Sequence, residues 1–448
     1  MKNLLKIAAL ILILALTSCS TAPQLLPFIS EITEDSDLDF GGREFVIKSN
    51  WYTQWDPLVS EDSSSSARTA GEDAIIAHNA KVMQDYNCKI KSVFCDWSYS
   101  ESLAANVMAY NVDFDLLDTN LSFMIDHIKK GFCYSWEDAG VDVSDTAKYG
   151  PAGFLDMAAY KGQHYGVWSN YRSGAIGVDG GMGVNNNILG QFTDVKVYEL
   201  YENERWTFDE FKDLLHLFAS DESIIPLSYY EQRLFTVCSI LSNGSNLVFY
   251  DESRDKYIYG MNDPKAVRAL EYVKSLYEEK LVREETDYDD YFNVHQNAAF
   301  TITSFWCIGG NIDGMDVICF PFGPDAEYGK DFGAYRSTSS RYLFMPITAD
   351  PVEVGKFTNV WLEELEENPK ANIVENLKIN DFFNDNSANM YMELNEKAAY
   401  DYSFELNDVY NDYCNAMTKA VFSNSSIYEF ISANEDKVQS VIDDELNS

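Results

Sequence analysis

Residues Glu44–Ser49 (EFVIKS) begin a regular alternation of strand-like and helix-like segments. Apolar and polar residues alternate in this stretch, which is typical of a β-strand. From Asp73 the apolar residues recur at helical spacing, and residues 88–94 then form a second strand-like segment. Residues 114–120 (FDLLDTN) form a third. Strands that alternate with helices predict the α/β class, with a largely parallel sheet.

Three amphipathic helices are predicted further along the chain. Thr207 and Glu210 form a capping box at the start of the clearest one, whose apolar residues share one face. Asp263 and Asp350 are each followed by a proline, the residue favoured at the first position of a helix. Residues 372–445 are mostly helical by pattern. We interpret the apolar faces of these helices as packing surfaces.

Length and charge exclude several classes of protein. The chain has 448 residues, which allows two larger domains or about three smaller ones. Its 46 % apolar and 23 % charged residues are typical of a folded globular protein. The formal net charge of −39 repels a phosphate backbone, so we expect no nucleic-acid partner. Aromatic residues make up 14 % of the chain, which favours rings that face a ligand.

The first 18 residues predict a lipoprotein signal peptide. Lys2 and Lys6 precede an apolar run of about ten residues, which is too short for a membrane-spanning helix. The run ends in Leu-Thr-Ser-Cys, which resembles a bacterial lipobox. We therefore predict cleavage before Cys19, lipidation of Cys19 and a location on the extracytoplasmic face of the bacterial cell membrane. The alternative is an ordinary secreted protein. Residues 19–40 predict a flexible tether.

Sequence motifs for metal binding and catalysis are absent. Asp35, Asp37 and Asp39 begin like a calcium loop, but Phe40 stands where that loop requires glycine. The five histidines lack metal-ligand spacing, and no HExxH, GxSxG, Walker loop or complete GxGxxG occurs. We expect no metal, no cofactor and no catalytic residues. Seven cysteines follow Cys19, an odd number that cannot pair completely, so we expect mostly free thiols.

The order of motifs resembles that of the family 1 extracellular solute-binding proteins, the maltose-binding-protein-like receptors of sugar-importing ABC transporters. Lipobox, strand, helix and FDLLDTN are followed by YKGQHYGVWSNYRSGAIGVDGGMGVNNNILGQF (160–192), WTFDEF (206–211), NAAFTITSFWCIGGN (297–311) and DVICFPFGPD (316–325). The resemblance covers nearly all of the mature chain. It rests on the order of these motifs, of which WTFDEF and AAFTITSFW are the most specific.

The resemblance implies a two-lobed periplasmic-binding-protein type II fold, with a mostly parallel sheet flanked by helices in each lobe. Each lobe would combine two stretches, residues 41–165 and 320–347 in lobe 1, and residues 170–318 and 350–448 in lobe 2. Hinge crossings are expected near residues 160–173, 318–324 and 345–350.

The implied function is the capture of a solute, taken to be a mono- or oligosaccharide, between the lobes. The protein would deliver this ligand, as a monomer, to the permease subunits of an ABC-type importer. Two alternatives stay open. One is a surface glycan-binding lipoprotein without a transport role. The other is a glycoside hydrolase, whose two carboxylates arise easily by chance among 72 acidic residues.

A sugar presents hydroxyls and apolar ring faces, so its receptor needs aromatic platforms and planar hydrogen-bonding side chains. Such residues stand at loop positions after the predicted strands, where open α/β sheets place ligands. The candidate ligand-binding residues are Trp51, Trp55, Trp97, Asp118, Asn120, Trp168, Tyr171, Arg172, Tyr229, Tyr230, Trp306, Tyr335 and Arg336.

Several candidates have structural alternatives. The tryptophans after the first strand either face a cleft or pack at a sheet edge. Asp118 and Asn120 either bind ligand or cap the next helix. Trp168 would otherwise be a structural aromatic of the hinge, and the two arginines would form exposed ion pairs. Trp306 is the strongest single candidate, because in the family that the chain resembles a strand turns into a helix there.

Overall fold

The structure is a computed structural model. It describes residues 38–50, 70–169, 178–229, 232–251, 253–284, 297–304, 314–336, 340–365, 384–400, 408–423 and 425–447. The predicted signal peptide, the predicted lipidation site Cys19 and most of the predicted tether lie outside these residues.

The described elements follow one another as the alternating pattern predicts. The first group is β1 (Glu44–Ser49), α1 (Ala70–Asp85), β2 (Lys89–Phe94), α2 (Trp97–Glu101), α3 (Leu103–Met108), β3 (Leu116–Asn120), α4 (Leu121–Lys129), β4 (Cys133–Tyr134), α5 (Thr146–Tyr149), α6 (Ala152–Met157), β5 (Ala159–Tyr160) and β6 (Gln163–His164). The second is β7 (Asp179–Asn185), α7 (Asn186–Phe192), α8 (Val197–Glu202), α9 (Phe208–Phe218), β8 (Ile225–Tyr229), α10 (Gln232–Leu241), β9 (Val248–Asp251), β10 (Lys256–Tyr259), α11 (Pro264–Glu278), β11 (Val282–Glu284), β12 (Ala298–Ser304) and β13 (Met315–Ile318). The last is β14 (Tyr335–Arg336), β15 (Arg341–Pro346), α12 (Pro351–Trp361), α13 (Asp385–Lys397), β16 (Ala399–Tyr400), α14 (Asp408–Val421) and α15 (Ile427–Glu445).

The predicted helix starts are confirmed by their caps. The Thr207 hydroxyl accepts a hydrogen bond from the backbone N–H of Glu210, which starts α9. Asp263 and Asp350 cap α11 and α12 in the same way, and a proline occupies the first turn of each helix. None of the described helices is both long and apolar enough to cross a membrane.

The sheet of the first lobe has the strand order β2-β1-β3-β15-β4. Strand β1 is parallel to β2 and β3, as predicted, whereas β15 is antiparallel to both β3 and β4. Strand β15 comes from more than two hundred residues further along the chain than β3. An alternation of apolar residues does not encode the direction of a strand, so the sequence pattern did not reveal the antiparallel member.

The sheet of the second lobe has the order β11-β8-β12-β7-β14-β16, with β13 also pairing with β7. Strand β8 is parallel to β11 and β12, and β7 is antiparallel to β12, β13 and β14. Strands β14 and β16 are parallel to each other. Both sheets are therefore mixed, and helices pack against each of them in two separate hydrophobic cores.

The two cores differ from the predicted lobe boundaries at two segments. Residues 320–347 were predicted for lobe 1, but Phe320, Phe322 and Phe332 pack in the core of lobe 2. Helix α12 was predicted for lobe 2, but its Phe357 packs in the core of lobe 1, where it stacks on Phe45 with ring centres 4.0 Å apart. An apolar stripe shows which face of a helix is buried but not which core buries it.

Along the described residues, the chain changes from one core to the other three times. These changes lie between Trp168 and Val178, between Arg336 and Arg341, and between residues 363 and 384. The first overlaps the predicted crossing near residues 160–173. The second and third replace the predicted crossings near 318–324 and 345–350, because the segments on both sides of those predicted positions pack in one and the same core.

Candidate functional site

Strands β1, β2 and β3 are parallel and therefore end at the same side of the lobe 1 sheet. Strand β15 begins at this side, where Arg341 opposes Asn120. We call residues 49–50, 94–97, 118–123 and 340–341 the carboxyl edge. Open α/β sheets bind ligands outside this end of their strands, so the carboxyl edge is the candidate site.

Asp118 is a buried structural residue of the carboxyl edge. Its carboxylate accepts hydrogen bonds from Arg341 Nε at 2.6 Å and from Ser49 Oγ at 2.6 Å, and it also accepts from Arg341 Nη2. Asp118 is fully buried and Arg341 is 3 % exposed. Both carboxylate oxygens are occupied, so the structure differs from both predicted roles of Asp118, ligand binding and helix capping. Asp118 instead ties β1, β3 and β15 together.

Trp168 lies directly beneath this ion pair. The guanidinium carbon of Arg341 is 4.3 Å from the centre of its ring, a cation–π distance. Trp168 is fully buried in the core of lobe 1. The geometry therefore fits the prediction that Trp168 is a structural aromatic beside a crossing. It does not fit a ring that is open to a ligand.

Three candidates on lobe 2 are buried as well. Tyr229 is 2 % exposed and packs against Phe235 and Phe422. Tyr335 is 5 % exposed. Arg336 is 1 % exposed and donates a hydrogen bond to the Asn395 carbonyl oxygen, so it does not form the exposed ion pair of the alternative reading. None of these three side chains presents a surface to a ligand in this conformation.

Six of the predicted candidates fall outside the described residues. They are Trp51, Trp55, Tyr171, Arg172, Tyr230 and Trp306. Their assignment to the ligand site stays a prediction, including that of Trp306, the strongest candidate from the sequence.

The carboxyl edge holds three buried oxygen atoms without a hydrogen-bond partner. They are Thr119 Oγ1, Asn120 Oδ1 and Ser340 Oγ. Asn120 stands at the N-cap of α4, yet its side chain makes no capping hydrogen bond. Leaving a buried polar group unpaired costs about 1–3 kcal/mol. Thr119 is 0 % and Ser340 is 3 % exposed, so a ligand or solvent hydroxyl reaches these atoms only if the edge opens.

An aromatic pair lies beside these oxygens. Trp97, in the first turn of α2, stacks on Phe123, in the first turn of α4, with ring centres 5.4 Å apart and an interplanar angle of 29°. Trp97 is 39 % exposed and the neighbouring Phe94 is 44 % exposed. A large ring that packs on a neighbour and is still partly exposed suits the apolar face of a sugar.

Sequence reasoning missed Phe123, Thr119 and Ser340. The argument that selected Asn120 applies equally to the next helix, because a residue in the first turn after a strand stays at the same edge. That argument would have found Phe123, three residues further on. Ser340 carries no local signal, because it reaches the edge only through the antiparallel pairing of β15 with β3.

The described contacts between the two lobes include an ion pair and a cation–π contact. Lys129 at the end of α4 forms an ion pair of 2.8 Å with Glu445 at the end of α15. The guanidinium of Arg336 lies 5.7 Å from the ring centre of Phe154 on α6. Each contact joins a residue of lobe 1 to a residue of lobe 2, so both would change if the lobes moved relative to one another.

The described residues contain no cluster of His, Cys, Asp and Glu that could hold a metal ion. Six cysteines, at positions 88, 95, 133, 238, 319 and 414, are free and buried. Burial raises the pKa of the Cys88 thiol to about 11, and the pKa of Cys133 rises to about 12 for the same reason. A thiol with such a pKa is a poor nucleophile at neutral pH, so these cysteines pack as small apolar side chains.

A separate charged cluster lies on the β5–β6 hairpin, away from the carboxyl edge. His164 Nδ1 is 2.6 Å from a carboxylate oxygen of Glu137, and its Nε2 is 3.8 Å from Asp156. The carboxylates of Asp156 and Glu137 raise the pKa of His164 to about 9. His164 is therefore protonated at neutral pH and links α6 to the loop after β4.

This pKa predicts a decline in stability at alkaline pH. The ordinary pKa of histidine is about 6.5, so the contribution of His164 is complete below that pH and is lost as the pH rises through 9. The pair is partly exposed, so we expect a loss of about 1–2 kcal/mol. Urea unfolding of the wild type and His164→Gln at pH 6 and pH 9.5 measures the difference. A decline of equal size in both proteins would contradict the assignment.

The sequence matches no protein-family model, and no curated protein is significantly similar to it. Its fold, in contrast, is shared by many solved structures. The cyclic α-maltosyl-1,6-maltose binding protein of Arthrobacter globiformis has a TM-score of 0.65 at 12 % identity, over 90 % of this chain and 100 % of that one. The fold is that of the two-lobed substrate-binding proteins. This confirms the predicted fold class and the predicted resemblance.

Two further structures show the range of this fold. The extracellular solute-binding protein family 1 of Alicyclobacillus acidocaldarius has a TM-score of 0.56 at 12 % identity, over 91 % of this chain and 100 % of that chain. UgpB of Mycobacterium tuberculosis, solved with glycerophosphocholine, has a TM-score of 0.58 at 13 % identity, over 90 % and 99 % of the two chains. The identities of these similar structures are low enough that they establish the fold alone.

Proposed function

We propose that the protein is an extracytoplasmic substrate-binding lipoprotein that captures a mono- or oligosaccharide between its two lobes. It would deliver the sugar to the permease subunits of an ABC-type importer and would catalyse no reaction. The carboxyl edge of lobe 1 supports this proposal, because it combines unpaired hydrogen-bonding oxygens with a half-exposed aromatic pair. That combination matches the two kinds of surface that a pyranose presents.

The charges at the edge favour a neutral ligand. The charged side chains among the described residues of the carboxyl edge are Asp96, Asp118 and Arg341. Asp118 neutralises Arg341 in a buried ion pair, and the exposed Asp96 carboxylate caps α2 and would repel an anionic ligand. Thr119, Asn120 and Ser340 contribute neutral groups. A phosphate or carboxylate ligand needs an uncompensated cation or a set of N–H donors, which these side chains do not provide. A glycoside hydrolase would need two facing carboxylates, whereas Asp118 is neutralised by Arg341 and Asp96 caps α2.

Lipidation at Cys19, a monomeric state and the importer partner rest on the sequence and stay predictions. A surface glycan-binding lipoprotein without a transport role would use the same carboxyl edge. The two functions differ in their partners, so sugar uptake that requires both this protein and a permease distinguishes them.

A thermal-shift screen of the purified chain against mono- and oligosaccharides tests ligand capture, because a ligand at 100 times its dissociation constant stabilises the native state by about 2.7 kcal/mol. For a sugar that binds, we expect Trp97→Ala to weaken the affinity by about 1–3 kcal/mol through loss of the apolar platform. Asn120→Ala should cost about 1 kcal/mol. Isothermal titration calorimetry measures both.

Tyr110→Ala is the matched control for these two variants. Tyr110 is an aromatic residue of lobe 1 that is 92 % exposed and lies outside the carboxyl edge. Its replacement should leave the affinity unchanged. Equal affinities for the wild type, Trp97→Ala and Asn120→Ala would remove the carboxyl edge as the binding site. A screen in which no sugar raises the melting temperature would count against the sugar ligand itself.

A further inference from the structure

Two helices of unequal length carry the aromatic pair at the carboxyl edge. Trp97 belongs to α2, which has five residues, whereas Phe123 belongs to α4, which has nine. A helix of about one turn is not stable on its own in water, so contacts with the rest of lobe 1 fix the orientation of α2. The position of the partly exposed Trp97 ring therefore depends on the contacts that hold α2.

A buried hydrogen bond also joins α2 to α4. His127 Nε2 donates to the Ser100 carbonyl oxygen at 3.1 Å, and the two residues are 7 % and 0 % exposed. His127 follows Phe123 by four residues, so the two side chains are neighbours on one face of α4. Helix α2 is thus attached to α4 at two points, where Trp97 stacks on Phe123 and where Ser100 binds His127.

The protonation state of His127 suits this contact. Burial lowers the pKa of His127 below its ordinary value, so the ring is neutral at neutral pH. The single ring proton lies on Nε2, because the carbonyl oxygen that faces Nε2 can only accept a hydrogen bond. Nδ1 is buried and has no hydrogen-bond partner among the described residues. The side-chain hydrogen bond of His127 is therefore directed at α2.

Asn50 ties the same helix to the ends of β1, β2 and β3. Its Oδ1 accepts from Ser100 Oγ at 3.0 Å, and its Nδ2 donates to the Cys95 carbonyl oxygen at 3.1 Å. Its backbone N–H donates to the Asp118 carbonyl oxygen at 3.1 Å. Ser100 is therefore held through its carbonyl by α4 and through its hydroxyl by the strand ends. We call Asn50, Ser100 and His127 the α2 clamp.

We propose that the α2 clamp is a positioning element that holds the Trp97 ring against Phe123. A binding surface keeps its geometry when buried hydrogen bonds fix the elements that carry it. The three residues of the clamp are at most 7 % exposed, so they act through the orientation of α2 and not by contact with a sugar. The inference rests on the proposed function only in taking Trp97 as a platform for a sugar.

Fluorine NMR of the purified chain labelled with 5-fluorotryptophan tests the clamp without a sugar. The chain has eight tryptophans, and Trp97→Phe identifies the Trp97 signal. In His127→Met, which removes the donor, we expect this signal to move and its shift between H₂O and D₂O to increase, because the ring leaves Phe123 and becomes more exposed. His127→Gln places an amide N–H near the position of Nε2 and should restore the wild-type signal.

His78→Met is the matched control. His78 Nε2 donates to the Trp361 carbonyl oxygen at 3.0 Å, which is the same kind of bond in the same lobe but outside the carboxyl edge. This variant should leave the Trp97 signal unchanged. Ser100→Ala removes only the hydroxyl bond to Asn50 and covers the case in which His127→Met does not fold. It should move the signal in the same direction by a smaller amount. A wild-type Trp97 signal in the folded clamp variants, or an equal change in His78→Met, would overturn the proposal.

Affinities show whether the clamp acts through Trp97. For the sugar with the largest thermal shift in the screen above, His127→Met should weaken binding about two- to tenfold, the effect of losing one hydrogen bond. In the Trp97→Ala background it should have no further effect, and additional weakening there would contradict the proposal. A screen in which no sugar binds would count against the proposed function, whereas the NMR measurement would still decide the role of the clamp.

Discussion

Arg341→Met is expected to lower the free energy of unfolding by about 3–5 kcal/mol, because it leaves the Asp118 carboxylate buried without its partner. Asp118 is fully buried, and the substitution removes both guanidinium hydrogen bonds to its carboxylate. Urea unfolding followed by tryptophan fluorescence measures the change, since Trp168 lies directly beneath the ion pair.

The double variant Asp118→Leu with Arg341→Met is the control for this prediction. Replacing both charges with apolar side chains of similar volume removes the unpaired charge, and such replacements are often neutral or stabilising. We therefore expect the double variant to be more stable than Arg341→Met alone. A double variant as unstable as the single one would show that the loss comes from packing and not from the buried charge.

Trp361→Ala is expected to destabilise lobe 1 selectively, by about 3–5 kcal/mol, the cost of removing a fully buried large aromatic side chain. Trp361 is fully buried on α12, its ring stacks on Phe357, and its Nε1 donates to Asn79 on α1 at 2.9 Å. The predicted lobe boundary at residue 350 would place the same substitution in lobe 2. Hydrogen exchange read separately over the strands of each sheet distinguishes the two assignments.

Trp206→Ala provides the mirror-image control. Trp206 is fully buried in the core of lobe 2, and its Nε1 donates to the Cys319 carbonyl oxygen at 2.9 Å. Its removal should speed exchange in β8 and β12, whereas Trp361→Ala should speed exchange in β1 and β3. Faster exchange of the lobe 2 strands in Trp361→Ala would contradict the assignment of α12 to lobe 1.

The site could be predicted only in part. The sequence selected the ends of the first strands as the candidate ligand edge, where Trp97 stacks on Phe123 and Asn120 Oδ1 is unpaired; their role in binding stays a prediction. The same reasoning selected Asp118 and Trp168 as ligand-binding residues. In the structure both are buried, and Asp118 pairs with Arg341 while Trp168 packs against the Arg341 guanidinium. The position of a residue at a strand end predicts where its side chain lies. It does not predict whether a distant part of the chain already occupies the hydrogen-bonding atoms of that side chain.

The sequence by itself determined the local elements. Strand β1 was predicted with the bounds that the structure has, and α9, α11 and α12 begin at their predicted caps, because caps and apolar periodicity act within a few residues. The tertiary structure alone decided which core receives each element. It also decided that Arg341, 223 residues from Asp118, neutralises that carboxylate. Contacts between distant segments depend on how the two sheets are assembled, and no local pattern records that assembly.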